Sequence, residues 1–191
     1  QDEEDNIWLA TMLGLRMIND STLVSYEHDP LNPNSLSHNV VNKLYKGRQG
    51  DLWIGTNNGL NLLRKGSQKF VRFFYDKKNT GASENSILSI YEDDNGNIWA
   101  GSSNGLHFLS KDRKYQRTYD IPDGLPNNVI AGIVPDEAGN LWISTFMGLS
   151  KFNIADESFT NYTEMDGLQG NEFTRRAYKI GFFQAEDGIR D

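Results

Sequence analysis

The sequence predicts an all-β fold: a β-propeller fragment with four-stranded antiparallel blades, about four blades of a larger ring. Two observations predict it. Four tryptophans recur at intervals of 45, 46 and 43 residues, each within a similar short phrase, and a Gly-Leu pair follows each of them. A period of this size marks repeated supersecondary units, and helical periodicity is nowhere sustained. The four residues are Trp8, Trp53, Trp99 and Trp142.

Each repeat unit is predicted to contain four strands in the same order. The first strand follows an asparagine and alternates apolar with small or polar residues, as over 39–45, 85–91 and 128–134. The second strand carries the tryptophan, and the third begins at the Gly-Leu pair. The fourth strand is aromatic, as over 70–75, 115–119 and 159–162. A β-sandwich and a β-solenoid are the alternatives, but a sandwich does not require one phrase four times, and solenoid coils are shorter.

The unit boundaries predict a partial propeller over residues 1–180. Its blades are expected at about 1–27, 39–75, 85–119 and 128–162, with the start of a further blade over 171–180. Alternatively, a strand near 173–180 could complete the first unit and close a four-bladed ring. Gln184–Asp191 resembles a translated sequencing adapter. Residues 181–191 are therefore interpreted as a non-native tail.

Within a blade, the tryptophan strand is expected to pack between neighbouring sheets, which requires a large rigid side chain. Gly55 and Gly101 then mark a position that needs a small residue. The glycines of the Gly-Leu pairs are predicted to supply a positive φ in the tight connection to the third strand. These glycines are Gly59, Gly105 and Gly148. All of these residues are interpreted as structural.

Composition argues against several function classes. A net charge of -7 without a basic stripe argues against a nucleic-acid partner, and the absence of cysteine excludes disulfides and thiolate chemistry. The three histidines lack ligand spacing, so no metal and no cofactor are expected. The stretch Asp94–Trp99 partly matches the Asp-box turn of sialidases, but the other units carry Glu3, Arg48 and Glu137 at or near the aspartate position. We therefore predict no catalytic residues.

Three motifs resemble the two-component regulator propeller repeat. They are the phrase Asp51–Leu60, the loop His28–Asn39, and the stretch Asp123–Asn128 with its echo at Asp166–Phe173. This resemblance implies a non-enzymatic sensor domain of a Bacteroidota hybrid two-component system, periplasmic and part of an inner-membrane protein with a histidine kinase. It also implies a glycan-derived ligand, and as partners the remaining blades, a downstream β-sandwich domain and, as an open alternative, a homodimer.

In a propeller, the loops from fourth to first strands and from second to third strands share one face. The long loops 27–38 and 76–85 are expected there, together with candidate ligand-binding residues Asn57, Asn58, Asn104, Phe146 and Arg175. An aromatic ring beside amide side chains suits an oligosaccharide, although packing of Phe146 against a neighbouring blade or a partner domain is the preferred interpretation of that residue. A sialidase-like carbohydrate-active enzyme and a protein-interaction propeller are the alternative functions.

Overall fold

The computed structural model describes residues 1–20, 22–75, 85–170 and 172–173, in which fifteen strands form four antiparallel sheets. Blade 1 comprises β1 (Ile7–Thr11), β2 (Gly14–Asn19) and β3 (Thr22–Tyr26). Blade 2 comprises β4 (Val41–Lys46), β5 (Leu52–Thr56), β6 (Gly59–Leu63) and β7 (Phe70–Phe73). Blade 3 comprises β8 (Ile87–Glu92), β9 (Ile98–Ser102), β10 (Gly105–Leu109) and β11 (Gln116–Tyr119). Blade 4 comprises β12 (Ile130–Pro135), β13 (Asn140–Thr145), β14 (Gly148–Asn153) and β15 (Ser158–Tyr162).

The strands of every blade pair in chain order, so each sheet is a simple meander. Among the described residues, blades 2, 3 and 4 have four strands and blade 1 has three. Two 3₁₀ turns, at Ile121–Asp123 and Glu164–Asp166, follow the last strands of blades 3 and 4. The prediction of an all-β propeller built from four-stranded antiparallel blades is confirmed. The predicted further blade over 171–180 and the tail over 181–191 lie outside the described residues, except for positions 172 and 173.

A two-residue turn joins the second and third strands of each blade. The predicted positive φ is confirmed at Gly59, Gly105 and Gly148, with φ of 100°, 125° and 111°. A β-carbon on Gly105 would also lie 2.4 Å from the carbonyl oxygen of Tyr119, so both conformation and space require glycine.

A hydroxyl residue ahead of this glycine closes the same turn. In blade 3, Ser102 Oγ accepts the N–H of Asn104 at 2.8 Å and donates to the Gly105 carbonyl at 3.2 Å. Thr11, Thr56 and Thr145 do the same in the other blades. The turn therefore keeps its own polar groups satisfied and leaves its two central residues free to vary.

The tryptophans of blades 2 and 3 are buried between adjacent sheets, as predicted. Trp53 is 1% and Trp99 2% exposed. The Trp99 ring meets Phe152 of blade 4 edge-on, with 5.6 Å between ring centroids. Trp8 and Trp142 are only half-buried. Trp53 and Trp99 pack into clusters with buried residues of the blade that follows, whereas Trp8 stays half-buried although blade 2 follows it.

Neighbouring blades approach most closely beside the tryptophan strand. A β-carbon on Gly101 would lie 2.4 Å from Ile130 Cγ2 of blade 4 and 2.3 Å from Ser89 Oγ. At Gly55, the corresponding distance to Ile87 Cγ2 of blade 3 is 2.8 Å. The expectation that Gly55 and Gly101 occupy a position needing a small residue is therefore confirmed.

The turn between the first and second strands is organised by an aspartate six residues before the tryptophan. Asp2, Asp93 and Asp136 each accept hydrogen bonds from two backbone N–H groups and one asparagine side chain of their own turn. Each also accepts the indole N–H of its tryptophan, at 2.7, 3.2 and 3.2 Å respectively. Sequence reasoning missed this contact because it aligned the acidic residue one position later.

Blade 2 has Gly47 where the other blades have this aspartate. A carboxylate from the next blade comes close instead: Glu92 Oε2 accepts the N–H of Arg48 at 2.9 Å, and a β-carbon on Gly47 would lie 3.2 Å from it. The aspartate's place is thus partly taken by a residue 45 positions away, at the end of β8.

We expect Gly101→Ala to destabilise the protein by about 1–3 kcal/mol, because the added methyl group overlaps Ile130 and Ser89 where two strands meet. Urea unfolding followed by tryptophan fluorescence measures this. Gly170→Ala is the matched control, since its β-carbon would meet only Glu164 at 3.9 Å. Equal stability of the two variants would contradict the close approach of blades 3 and 4.

We expect Asp136→Ala to destabilise the protein by about 1–3 kcal/mol, because the substitution removes the shared acceptor of Ala138, Asn140 and Trp142. Glu137→Ala, in the same turn and exposed, is the control and should change stability by less than about 0.5 kcal/mol. Thermal unfolding of both variants distinguishes these outcomes. If Glu137→Ala destabilises the protein more than Asp136→Ala does, Asp136 is not the residue that organises this turn.

Candidate functional site

The predicted ligand face consists of the second-to-third strand turns and the fourth-to-first strand loops. Because the strands of a blade alternate in direction, these connections lie at one end of every sheet. Loop 27–38 is described, whereas 76–84 of the second loop, and Arg175, lie outside the described residues. The other four candidate residues occupy the same turn in three successive blades.

Asn57 is engaged in holding blades 2 and 3 together. Its amide oxygen accepts hydrogen bonds from Asn42 Nδ2 at 2.9 Å and from Ser86 Oγ at 3.3 Å. Asn42 also donates to the carbonyl of Ile87 at 3.3 Å. These contacts cross the interface between β4 and β8, so Asn57 has a structural task at the face on which it was predicted to bind a ligand.

The remaining candidates differ in how they present themselves. Asn104 is exposed, Phe146 is half-buried, and the buried amide oxygen of Asn58 has no hydrogen-bond partner among the described residues. An exposed amide, an aromatic ring and an unpartnered acceptor at equivalent turns can together contact hydroxyl groups and an apolar sugar face. Recruitment of these side chains into one site remains a prediction.

Loop 27–38 is fixed to blade 2 by Arg72 of β7. The Arg72 guanidinium donates to the Ser35 carbonyl at 2.7 Å, to Ser35 Oγ at 2.6 Å and to the Leu36 carbonyl at 3.0 Å. Ser37 then exchanges hydrogen bonds with Asn61, at 2.9 and 2.8 Å. This loop is therefore a rigid part of the face. No sequence pattern predicted that Arg72 would bind this loop, because it lies 37 positions from Ser35.

Asparagines at the start of each blade join loop to sheet. The side-chain oxygens of Asn39, Asn85 and Asn128 accept the N–H groups of His28, Tyr75 and Ile121, at 2.7, 3.2 and 3.0 Å. The carbonyls of Asn39 and Asn85 accept the turn glycine N–H groups of the preceding blade, at 2.6 and 2.8 Å. The asparagine that marks each first strand in the sequence is thus an inter-blade connector.

His107 occupies in blade 3 the place of Asn61 in blade 2. Its Nε2 lies 2.7 Å from Ser102 Oγ and its Nδ1 lies 2.8 Å from Thr118 Oγ1. The ring stacks on Tyr75, with centroids 4.0 Å apart and an interplanar angle of 10°. Burial lowers the pKa of His107 to about 3, so the imidazole is neutral at physiological pH. Its two partners and its burial make it a structural residue.

Two carboxylates with a lowered pKa, those of Asp2 and Asp136, lie at the end of the sheets opposite the predicted ligand face. Burial raises the pKa of Asp2, but hydrogen bonds from Trp8 and Asn6 outweigh it and hold the pKa at about 2. The pKa of Asp136 is lowered in the same way, with burial opposing the hydrogen bonds from Asn140 and Trp142.

Within the described ranges, no group of three His, Asp or Glu side chains could hold a metal ion. No described helix is long and apolar enough to cross a membrane.

The cavities of the described residues also open at this opposite end. One of about 400 Å³ lies between blades 1 and 2, and one of about 220 Å³ lies at the equivalent place between blades 2 and 3. Both are lined by turns between first and second strands and between third and fourth strands. The sequence analysis did not predict a cavity at these turns.

A family model described as the two component regulator propeller matches residues 35–58, 81–104 and 124–147. Three segments of the chain, one for each of blades 2, 3 and 4, thus match the two-component regulator propeller repeat. Each match ends in the turn after a tryptophan strand, so the model recognises the connector asparagine, the tryptophan strand and the turn threonine or serine described above. A search of curated proteins found no match.

Two solved extracellular domains resemble the structure. The extracellular domain of the hybrid two-component system BT3049 from B. thetaiotaomicron is 26% identical over 90% of this chain, with a TM-score of 0.70. That of BT4673 from the same organism is 24% identical over 89%, with a TM-score of 0.73. This chain covers 23% and 25% of those chains, so it spans about a quarter of their length.

Propeller enzymes share the fold at lower similarity. A catalytically inactive virginiamycin B lyase from Staphylococcus aureus is 19% identical over 84% of this chain and 52% of its own, with a TM-score of 0.62. At this identity the resemblance concerns the fold alone.

We expect His107 to make the protein acid-sensitive. Its folded-state pKa of about 3 lies below the ordinary 6.5, so the unfolded chain binds an extra proton between these values. Stability is therefore lost as pH falls below 6.5, by about 2 kcal/mol at pH 5. His107→Asn, which copies blade 2, should remove this loss. Urea unfolding at pH 7 and pH 5 tests it; an unchanged difference in the variant would contradict a buried neutral imidazole.

Proposed function

We propose that this chain is part of the ligand-sensing propeller of a hybrid two-component sensor. The observation that supports the proposal most is the threefold match to two-component regulator propeller repeats. The similarity to extracellular domains of two such systems supports it further. The proposed location is periplasmic, in a protein whose histidine kinase lies elsewhere in the full-length chain.

The proposed ligand is a glycan-derived oligosaccharide bound at the loop face. Loop 27–38, fixed by Arg72, and the self-contained turns supply a rigid frame. Asn58, Asn104 and Phe146 supply varied side chains on that frame, as binding loops on a scaffold commonly do. In this proposal the chain is not an enzyme. Binding shifts the arrangement of propeller and dimer, and the remaining blades and a downstream β-sandwich domain carry the shift onward.

A titration calorimetry panel of neutral and uronic-acid-containing oligosaccharides tests this proposal. We expect at least one member to bind without being converted, and Phe146→Ala to weaken binding about tenfold through loss of the aromatic face. Glu137→Ala, at the opposite end of the sheet, is the control and should bind normally.

The other outcomes separate the alternatives. Release of product from a bound oligosaccharide would identify a carbohydrate-active enzyme. If no oligosaccharide of the panel binds and a protein partner binds stoichiometrically, the chain is part of a protein-interaction propeller. Binding that Phe146→Ala leaves unchanged would move the site away from the turn of blade 4.

A further inference from the structure

The cavity between blades 1 and 2 has an aromatic floor and a charged rim. Trp8 and Tyr26 stack with 5.9 Å between ring centroids, and Leu44 and Leu63 extend the apolar surface. Glu4 is among the charged residues of the lining. The cavity volume of about 400 Å³ falls within the range of small-molecule sites.

The equivalent groove between blades 2 and 3 already contains a bound group, supplied by the chain itself. The Arg113 guanidinium lies over the Trp53 ring, 4.7 Å from its centroid. It also donates to the carbonyls of Gly96 and Ser110, at 3.3 and 3.0 Å. This groove therefore displays how the tryptophan face of a blade and the turns of the next one bind a guanidinium.

The repeat aligns Ser67 with Arg113 one blade later, although Arg113 has a positive φ of 63° and in blade 2 the preceding residue, Gly66, has the positive φ, of 73°. Both residues donate their backbone N–H to the residue three positions earlier, Ser67 to Arg64 at 2.9 Å and Arg113 to Ser110 at 2.8 Å. The second residue of each turn also donates its backbone N–H to a side-chain oxygen just before the tryptophan strand. Lys65 donates to Asp51 Oδ1, and Lys111 donates to Asn97 Oδ1. Serine is too short to cover the ring, so Trp8 stays half-buried and the cavity stays open.

We propose that the cavity between blades 1 and 2 binds a guanidinium group carried on a flexible apolar stem. The ring face of Trp8 would take the place of Trp53, and the carbonyls of Gly50 and Arg64 would take the places of Gly96 and Ser110. The stem would lie along Leu44 and Leu63. This proposal is independent of the oligosaccharide site, which lies at the other end of the sheets.

The charges around the cavity permit a cation. Lys46 replaces Glu92 of the neighbouring groove, but Glu3 accepts from Lys65 at 2.5 Å and lies 3.7 Å from Lys46. The side chains of the lining carry four carboxylates against three cations: Asp2, Glu3, Glu4 and Asp51 against Lys46, Arg64 and Lys65. Glu4 stands where blade 2 has the neutral Gln49 and adds a carboxylate to the rim. A neutral isostere of the same shape gains nothing from these carboxylates or from the ring quadrupole.

Calorimetric titration with arginine amide tests the site. We expect one site per chain with a dissociation constant on the order of 1 mM, which suits a ligand of about a dozen non-hydrogen atoms. Citrulline amide, which has the same shape without the charge, should bind at least tenfold more weakly. A Gly-Arg-Gly peptide in parallel distinguishes the source: tighter binding than arginine amide indicates an arginine side chain within a peptide, weaker binding a free guanidine ligand.

Two variants exchange the residues that distinguish the grooves. Ser67→Arg should fill the cavity from within and abolish binding, whereas Ser67→Ala should leave it unchanged. Arg113→Ser should open the second groove and raise the stoichiometry from one site to two. Circular dichroism and the melting temperature establish that each variant is folded. The proposal is overturned if wild-type protein binds no arginine amide, if citrulline amide binds equally, or if folded Ser67→Arg retains the site.

Discussion

The structure depends on the burial of Trp53 and Trp99 between their own blades and the blades that follow. Trp53 and Trp99 are buried, and the Trp99 ring meets Phe152 of the next blade edge-on. Close cover requires the small residues Gly55 and Gly101 beside the ring. A blade is therefore not a self-sufficient unit, and its stability comes in large part from its neighbours, as expected of a repeat array.

The repeat keeps the residues that shape each blade and its turns constant, but other positions differ from blade to blade. Turn hydroxyls, connector asparagines and turn glycines recur because backbone geometry demands them. The central residues of the turns and the side chains over the tryptophans are not so constrained. Blade 3 places Arg113 over the ring before it, whereas blade 2 offers only Ser67. Both ends of the array can thus acquire binding surfaces without altering the sheets that support them.

The sequence was sufficient for the fold because its signals are local. The tryptophan period, the Gly-Leu pairs and the alternation of the first strands fall within single blades. Contacts between distant residues were missed: Arg72 reaches Ser35 across 37 positions, and Glu92 approaches Gly47 from the next blade. The aspartates six residues before Trp8, Trp99 and Trp142 could have been found from the sequence, but the acidic residue one position later in the turn was aligned instead. The cavity was unpredictable because it results from the lack of one long side chain.

Native-state hydrogen exchange of the tryptophan strands tests most directly whether the blades stabilise one another. If Trp53 and Trp99 couple them, the amide protons of β5 and β9 should exchange slowest, with one shared free energy of opening that equals global unfolding. Gly101→Ala should then lower the protection of both strands together. Separate opening energies for β5 and β9, or a loss of protection confined to β9, would contradict the account.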